Sequence, residues 1–100
     1  MDAKATTEAN TLSGYLTSEF HCHVSVVLSD TVRFRIESDP RHRIYIPREF
    51  LADAGAATII EMIEADDLID ELENSDSPQY RAVEGSGIRV VDDTYGKSPP

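Results

Sequence analysis

Arginine residues concentrate in one stretch of an otherwise acidic chain. Residues 31–50 contain Glu37, Asp39 and Glu49 but five arginines, at positions 33, 35, 41, 43 and 48. The whole chain has 19 Asp plus Glu, 9 Lys plus Arg and a formal net charge of -10. A guanidinium group binds phosphate oxygens through two parallel hydrogen bonds and can read a guanine edge in the major groove. This stretch therefore has the chemistry of a nucleic-acid contact. The ordinary alternative is a strand face whose arginines pair with nearby carboxylates.

Alternating apolar and polar residues surround these arginines. The alternation has a period of two over residues 31–37 and 43–46, which predicts two half-buried strands. Their apolar residues are predicted to face a core: Val32, Phe34, Ile36, Ile44 and Ile46. Arg33, Arg35 and Arg43 then point outward together with Tyr45. A basic outward face on an acidic molecule is typical of a phosphate-binding surface.

The elements on either side of these strands follow from the same pattern. Alternation over residues 20–28 predicts an earlier strand, and Ser29-Asp30 is predicted to be the turn that follows it. The inward residues of that strand would be Phe20, Cys22, Val24, Val26 and Leu28. Pro47 cannot donate a backbone hydrogen bond, and its φ angle suits the first turn of a helix. We therefore predict a short helix over residues 48–54, closed by Gly55.

The segment 58–74 allows two interpretations. Thr58 with Glu61 matches a capping box, which favours one helix through the whole segment. Alternatively, residues 58–65 form a β-rich strand and Asp66 begins a separate helix. The segment contains carboxylates at positions 61, 64, 66, 67, 70, 71 and 73, which indicates a solvated or partner-docking helix face. Residues 80–93 then read as a hairpin around Gly85-Ser86-Gly87.

The corner between the third strand and the short helix resembles a known motif. In the swapped-hairpin DNA-binding proteins of the AbrB/MazE type, a strand of the form basic–apolar–x–Ile–Pro leads into a short helix that is closed by Gly. Residues 43–55, RIYIPREFLADAG, resemble that signature, with Arg43, Ile44, Ile46, Pro47 and Gly55 at the matching positions. The turn residues Asp39-Pro40 precede it. The resemblance covers about residues 39–55.

This resemblance implies a homodimer in which interleaved hairpins form a small barrel. Arginines near the turn before the Ile-Pro strand would contact DNA, a role that falls on Arg41 and Arg43 and, more loosely, on Arg33 and Arg35. Pro47 and Gly55 would shape the corner that sets the dimer core. Proteins of this family act as transcription regulators or as antitoxins that repress their own operon.

Side chains with metal or catalytic chemistry are few in this sequence. His21 and His23 would share one face of a strand while Cys22 faces the other way, so only two ligands converge where a zinc site needs three or four. The same divergence argues against a Cys–His nucleophile pair. We predict no metal site, no cofactor and no enzymatic activity.

The composition of the chain predicts its ordered region, its location and its solvent. Residues 1–14 and 94–100 are polar and lack periodicity, so they are predicted to be disordered tails around a single domain at 15–93. No stretch approaches the roughly 20 apolar residues of a membrane span, and the N-terminus lacks a signal-peptide pattern. One cysteine and no membrane segment predict a cytoplasmic protein. The acidic, lysine-poor, tryptophan-free composition resembles that of proteins from salt-loving organisms, whose carboxylates keep them solvated at molar salt.

These observations predict an α+β fold with a small antiparallel β-sheet or swapped-hairpin barrel and one or two short helices. The predicted function is a small, acidic, dimeric DNA-binding transcription regulator or antitoxin, in which Arg33, Arg35, Arg41 and Arg43 contact duplex DNA. The alternative function is a non-enzymatic interaction domain that binds a protein partner through the helix at 58–74.

Overall fold

The alternating segments of the sequence assemble into one five-stranded sheet that is covered by helices on one side. The computed structural model describes residues 3–38 and 40–90. The order of elements is α1 (Ala3–Phe20), β1 (Val24–Val27), β2 (Thr31–Ile36), β3 (His42–Pro47), α2 (Arg48–Ala54), α3 (Ala56–Ala65), α4 (Leu68–Glu73), β4 (Tyr80–Glu84) and β5 (Gly87–Val90). The predicted α+β class is confirmed.

The sheet follows chain order, and one of its four pairings is parallel. Strands β1 to β5 lie side by side in that order, with antiparallel pairs except between β3 and β4. A parallel pair requires a long crossover, which here consists of α2, α3 and α4. The predicted small antiparallel sheet is found in three of the four pairings, but the sheet as a whole is mixed, and it is open rather than a closed swapped-hairpin barrel. The prediction of one or two helices is also wrong, since the described residues form four.

The core lies between the helices and the inner face of the sheet. The predicted inward residues of β2 and β3 are all buried, which confirms the alternation there, and they pack with apolar side chains from each helix. The fully buried residues include Leu12 and Leu16 of α1, Leu51 of α2, Ile59 and Ile63 of α3, and Leu68 and Leu72 of α4. A helix that presents an apolar stripe to a sheet gains about 25 cal/mol for each Å² of apolar surface removed from water.

Helix α1 replaces a predicted tail. Residues 3–14 were predicted to be disordered, but they belong to an 18-residue helix. Ala5, Ala9, Leu12 and Leu16 are buried at helical spacing, and the small alanines carry little hydrophobic signal although they let the helix pack closely. The helix ends at Phe20. The next residue, His21, has a left-handed φ of 57°, and its N–H donates to the Thr17 carbonyl at 2.9 Å. The strand predicted from residue 20 therefore begins only at Val24.

Gly55 joins two helices at a corner that α1 reinforces. Its φ of 88° ends α2 and begins α3, a backbone conformation that glycine adopts without a steric penalty. Glu8 of α1 accepts a hydrogen bond from the Ala56 N–H through Oε1, at 2.6 Å. This carboxylate satisfies one of the free N–H groups at the start of α3 from outside the helix. The predicted helix 48–54 and its glycine cap are confirmed.

The ambiguous segment 58–74 consists of helices, and the strand interpretation of residues 58–65 is wrong. A single helix through the segment is also wrong, because α3 ends at Ala65 and α4 begins at Leu68. Asp67 interrupts them with a left-handed φ of 54°, a conformation that Asp tolerates better than most residues. The predicted hairpin at Gly85-Ser86 is confirmed by the β4–β5 register. Its predicted end at 91–93 and the predicted tail at 94–100 lie outside the described residues.

Buried His42 marks the start of the parallel pair. It is 3% exposed, and its Nδ1 accepts a hydrogen bond from the Gln79 N–H at 3.2 Å, just before β4. An acceptor at Nδ1 requires the neutral ring with its proton on Nε2. Burial, and secondarily the charge of Arg81, lower the pKa of His42. Arg81 itself is 8% exposed and donates to Glu71 of α4 at 3.3 Å.

Replacing Glu8 with Ala tests the link between α1 and α3. We expect Glu8→Ala to lower the free energy of unfolding by about 1–3 kcal/mol, because the Ala56 N–H loses its acceptor. The measurement is urea unfolding followed by circular dichroism. Glu8 also pairs with Lys4 at 3.7 Å, so Lys4→Ala is the matched control and should cost no more than about 1 kcal/mol. Equal losses in the two variants would contradict the capping role.

Lowering the pH tests the neutral state of His42. The unfolded chain binds a proton at this side chain near pH 6.5, whereas the native state, whose pKa is lower, does not. Stability should therefore be constant above that pH and fall as the pH drops below it, by at most about 1.4 kcal/mol per pH unit. The measurement is urea unfolding from pH 8 to pH 5, with His42→Asn compared with the exposed control His23→Asn. The pH dependence should be weaker in His42→Asn alone, and an unchanged dependence in that variant would contradict this assignment.

Candidate nucleic-acid interface

The outer face of the sheet is the surface that carries the predicted arginines. The four helices pack against the inner face, through the apolar residues of the main core. On the outer face, the described residues form only a small apolar cluster of Tyr45, Ala82 and Tyr80, all of which belong to strands. No described helix therefore covers this side of the sheet.

The strand register arranges these side chains in rows across the sheet. One row runs from Val27 through Arg33, Tyr45 and Ala82 to Arg89, each residue lying beside the next on neighbouring strands. The adjacent row runs from Ser25 through Arg35 and Arg43 to Tyr80. The predicted residues Arg33, Arg35 and Arg43 are thus brought together on one face. We call the surface formed by Arg33, Arg35, Arg43, Tyr45, Tyr80 and Arg89 the basic face.

Arg35 and Arg43 stand directly opposite each other on β2 and β3. Like charges at opposite positions destabilise an antiparallel pair. Glu37 offsets part of this repulsion, because its carboxylate lies 3.8 Å from Arg35 and accepts a hydrogen bond from the Ser25 hydroxyl at 3.1 Å. The same carboxylate also pairs with Arg41 at 3.4 Å. One glutamate is therefore shared by two arginines, so this end of the basic face keeps a net positive charge.

Two tyrosines hold the Arg43 side chain. Its guanidinium lies 5.5 Å from the centre of the Tyr80 ring, a cation–π distance, and it is half-buried. A hydrogen bond with Tyr45, followed by the charge effects of the tyrosines and Glu37, raises the pKa of Arg43 despite the opposing effect of burial. The arginine is therefore oriented before any partner arrives, so binding would cost little side-chain entropy.

Arg33 and Arg89 belong to the first row and lie on either side of Tyr45 and Ala82. Arg33 is exposed and makes no ion pair within the described residues. Arg89 is also exposed and pairs with Glu84 at 2.8 Å. Arg89 and Tyr80 were not predicted as site residues, because only the parallel β3–β4 pairing brings their hairpin beside β3. The alternation Ile88 inward, Arg89 outward was the available signal in the sequence.

The other predicted site residues occupy the border of the basic face. Arg41 lies in the loop before β3, exposed and paired with Glu37. Pro47 ends β3 opposite Thr31 and precedes the first helical residue, with φ of -56° and ψ of 134°. Gly55 lies at the helical corner, among the helices rather than on the outer face. The structure thus places Pro47 and Gly55 where the sequence predicted a corner, whereas their role in a dimer core stays a prediction.

The aromatic rings of the basic face are not available for stacking. Tyr45 is 8% exposed and Ala82 is 5% exposed, and Tyr80 is half-buried beneath the Arg43 guanidinium. Base stacking requires an open ring face. The groups that this face offers are guanidinium hydrogen-bond donors, which suit phosphate oxygens.

The helical side of the molecule has the opposite charge. Most of the described carboxylates belong to the segments 3–20 and 48–73: Glu8, Glu19, Glu49, Asp53, Glu61, Glu64, Asp66, Asp67, Asp70, Glu71 and Glu73. A groove of about 280 Å³ between α1, α3 and α4 is lined by five of them, with Tyr15, Ile63 and Ile69. Burial and the charges of Glu64 and Glu19 raise the pKa of Tyr15 to about 12. Most of the described acidic charge is thus separated from the basic face, where Glu37 and Glu84 are the paired exceptions.

The His21-Cys22-His23 sequence forms a turn rather than a strand. All three residues precede β1, and both histidines are exposed while Cys22 is half-buried. Burial, and secondarily the charge of Glu37, raise the pKa of the Cys22 thiol. Over residues 3–38 and 40–90, no cluster of three or more potential metal ligands occurs. Within the same residues, no helix combines the length and the apolar composition that crossing a bilayer requires.

Comparisons with known proteins give no relative for this chain: no protein-family model, no curated protein and no solved structure matches it. The resemblance of residues 39–55 to the AbrB/MazE-type signature therefore stays a prediction. The geometry and charge of the basic face are the features of this chain that indicate a function.

Proposed function

We propose that the protein binds the phosphate backbone of duplex DNA through its basic face, as a small transcription regulator or antitoxin. The observation that carries this proposal is the separation of charge between the two sides of the fold. Four arginines from β2, β3 and β5 share the outer face, whereas the acidic side chains of α1 to α4 lie on the helical side. An acidic chain that keeps its arginines together on one open face has the electrostatic footprint of a phosphate-binding protein.

The like-charge pair supports an anionic partner. Arg35 and Arg43 face each other across β2 and β3, an arrangement that is unfavourable without a counter-charge. Glu37 is shared between Arg35 and Arg41 and so neutralises this group only in part. A phosphate placed over the two guanidinium groups would complete the compensation.

The dimensions of the face fit a duplex better than a single strand. Arg33 and Arg89 are three strands apart, which corresponds to about 14 Å at the usual strand spacing. This separation is comparable with the roughly 12 Å width of the major groove, so the two arginines can reach phosphates on its two sides. Proteins that hold single strands instead rely on exposed aromatic rings, and both tyrosines of this face are covered.

Acidity elsewhere in the molecule does not prevent such binding. The carboxylates of the helices lie on the far side of the sheet, and their repulsion is screened beyond about 10 Å at 0.1 M salt. If four phosphates are neutralised, affinity should fall with salt at a log–log slope near -3.6. Binding should therefore be strong at low salt and weak at molar salt, where sequence-specific contacts would have to add to it.

Salt-dependent binding to a fluorescent duplex tests the basic face. We expect the double variant Arg35→Gln with Arg43→Gln to weaken binding at low salt and to reduce the log–log salt slope by about 2, because two phosphate contacts are lost. Arg33→Gln should reduce the slope by about 1 for the same reason. The charge reversal Arg41→Glu with Arg43→Glu should abolish binding. The measurement is fluorescence anisotropy over a KCl series.

The matched control is Lys4→Gln, which removes one positive charge from an exposed side chain on the helical side. Its salt slope should equal that of the unmodified protein. The proposal would be refuted if the duplex did not bind at low salt, or if the arginine variants bound it as well as Lys4→Gln does.

A second candidate function uses the acidic side of the molecule. The groove lined by Glu19, Glu64, Asp67, Asp70 and Glu73 also contains the half-buried Ile69, which suits a basic peptide with an apolar anchor. This is the interaction-domain alternative for residues 58–74. Titration of labelled protein with an arginine- and leucine-containing peptide would separate the two functions. Amide shifts would map to α3 and α4 for the peptide, and to β2, β3 and β5 for DNA.

A further inference from the structure

The edge of the sheet formed by β1 differs from the other strands. Strand β1 pairs only with β2, and no described strand lies beyond it. It is also the one described strand without Asp, Glu, Lys or Arg. Val27 and the following Leu28 are 49% and 45% exposed. Natural proteins protect free edges with charges, prolines or bulges, and β1 shows no charge or proline.

The backbone groups that point away from the sheet follow from the register. The Glu37 N–H donates to the His23 carbonyl at 3.0 Å, and the hydrogen-bonded positions of an antiparallel pair alternate. Ser25 and Val27 therefore direct their backbone groups toward β2. Val24 and Val26 direct theirs toward the open edge, and the same alternation continued one residue past β1 gives Leu28 the same direction.

This edge is complementary to itself. In an antiparallel pair of two β1 strands centred on Val26, Val24 lies opposite Leu28 of the partner subunit, and Val26 lies opposite its own copy. Each of these residues has outward backbone groups, so the pairing makes about six hydrogen bonds. Val24, Val26 and Leu28 also share the inner face of the strand. Val24 is already buried in the core of its own subunit, so the 45%-exposed Leu28 side chain would lie over the end of the partner subunit's β1 rather than in a pocket.

We propose that two copies of this chain associate through β1 to form a continuous ten-stranded sheet. The paired segment contains no charged residue, so it brings no like charges together even though each chain has a net charge of -10. Repulsion between the rest of the chains is screened within about 3 Å at 1 M salt, which favours the dimer as salt rises. The occupant of the edge is therefore a second copy rather than a charged partner.

The dimer places two basic faces on the same side of one sheet. The β2 strands of the two copies would be three strands apart, about 14 Å at the usual spacing, so Arg33 and Arg35 of each copy face a common surface. The interface itself does not depend on DNA binding. Its test uses the protein alone, and its failure would leave the assignment of the basic face unchanged.

Sedimentation equilibrium over a protein concentration series, at low and molar KCl, tests the interface. We expect a monomer–dimer equilibrium that shifts toward the dimer at molar salt. Val26→Pro should raise the dimer dissociation constant about tenfold or more, because each copy loses an outward N–H and two proline rings meet at the centre of the pair. An edge strand tolerates proline where its N–H faces outward, and circular dichroism checks that the variant folds.

The matched control is Val90→Lys, at the exposed end of the opposite edge strand β5, which should leave the dissociation constant unchanged. If Val26→Pro does not fold, Leu28→Lys replaces it, since this exposed side chain would lie over the end of the partner subunit's β1 in the dimer. A Cys22→Ser, Val26→Cys variant should form a disulfide-linked dimer on oxidation, because residue 26 faces its own copy. A monomer under all conditions, a dimer unaffected by the β1 variants, or equal disruption by Val90→Lys would overturn the proposal.

Discussion

The parallel pairing of β3 with β4 is the constraint on which the rest of the structure depends. Because parallel neighbours cannot be joined by a tight turn, the chain crosses between the ends of β3 and β4 through α2, α3 and α4. These helices and α1 bury their apolar stripes against one face of the sheet, and the other face stays open. The same pairing sets Tyr80 beside Arg43 and Ala82 beside Tyr45, which extends the basic face from the first three strands to β5.

The two sides of the fold meet different electrostatic requirements. The helical side carries most of the described carboxylates, and one of them, Glu8, also caps the first turn of α3. The outer side concentrates arginines at the cost of a like-charge pair between Arg35 and Arg43. Tyrosine contacts and the shared Glu37 hold those arginines in place. A surface that holds like charges in fixed positions has its hydrogen-bond donors ready for an anion.

We expect the two proposed interactions, of the basic face with DNA and of the β1 edge with a second copy, to respond to salt in opposite ways. Phosphate contacts would weaken as salt rises, because releasing counterions into a more concentrated solution gains less free energy. Pairing between uncharged β1 strands would instead become easier, because salt screens the repulsion between the two chains. The β1 edge joins the sheet at Val27 and Ser25, directly beside Arg33 and Arg35. Association at this edge would therefore double the number of arginines available to one duplex, which compensates for weaker individual contacts.

Local patterns in the sequence determined the α+β class, the inward residues of β2 and β3, the corner at Pro47 and Gly55, and the outward direction of Arg33, Arg35 and Arg43. Each of these depends on neighbours along the chain: a period of two, a proline without an N–H, or a glycine at a helix end.

The sequence did not reveal α1, because Ala5 and Ala9 become a packing stripe only when other helices lie close to them. The sequence also did not decide whether residues 58–65 form a strand or a helix. Ile59 and Ile63 are compatible with either, and only their burial against the sheet shows that they form the apolar side of a helix. Only the tertiary structure decided the parallel β3–β4 pairing, the open sheet and the addition of Tyr80 and Arg89 to the basic face, because these depend on contacts between segments about 40 residues apart that no local pattern encodes.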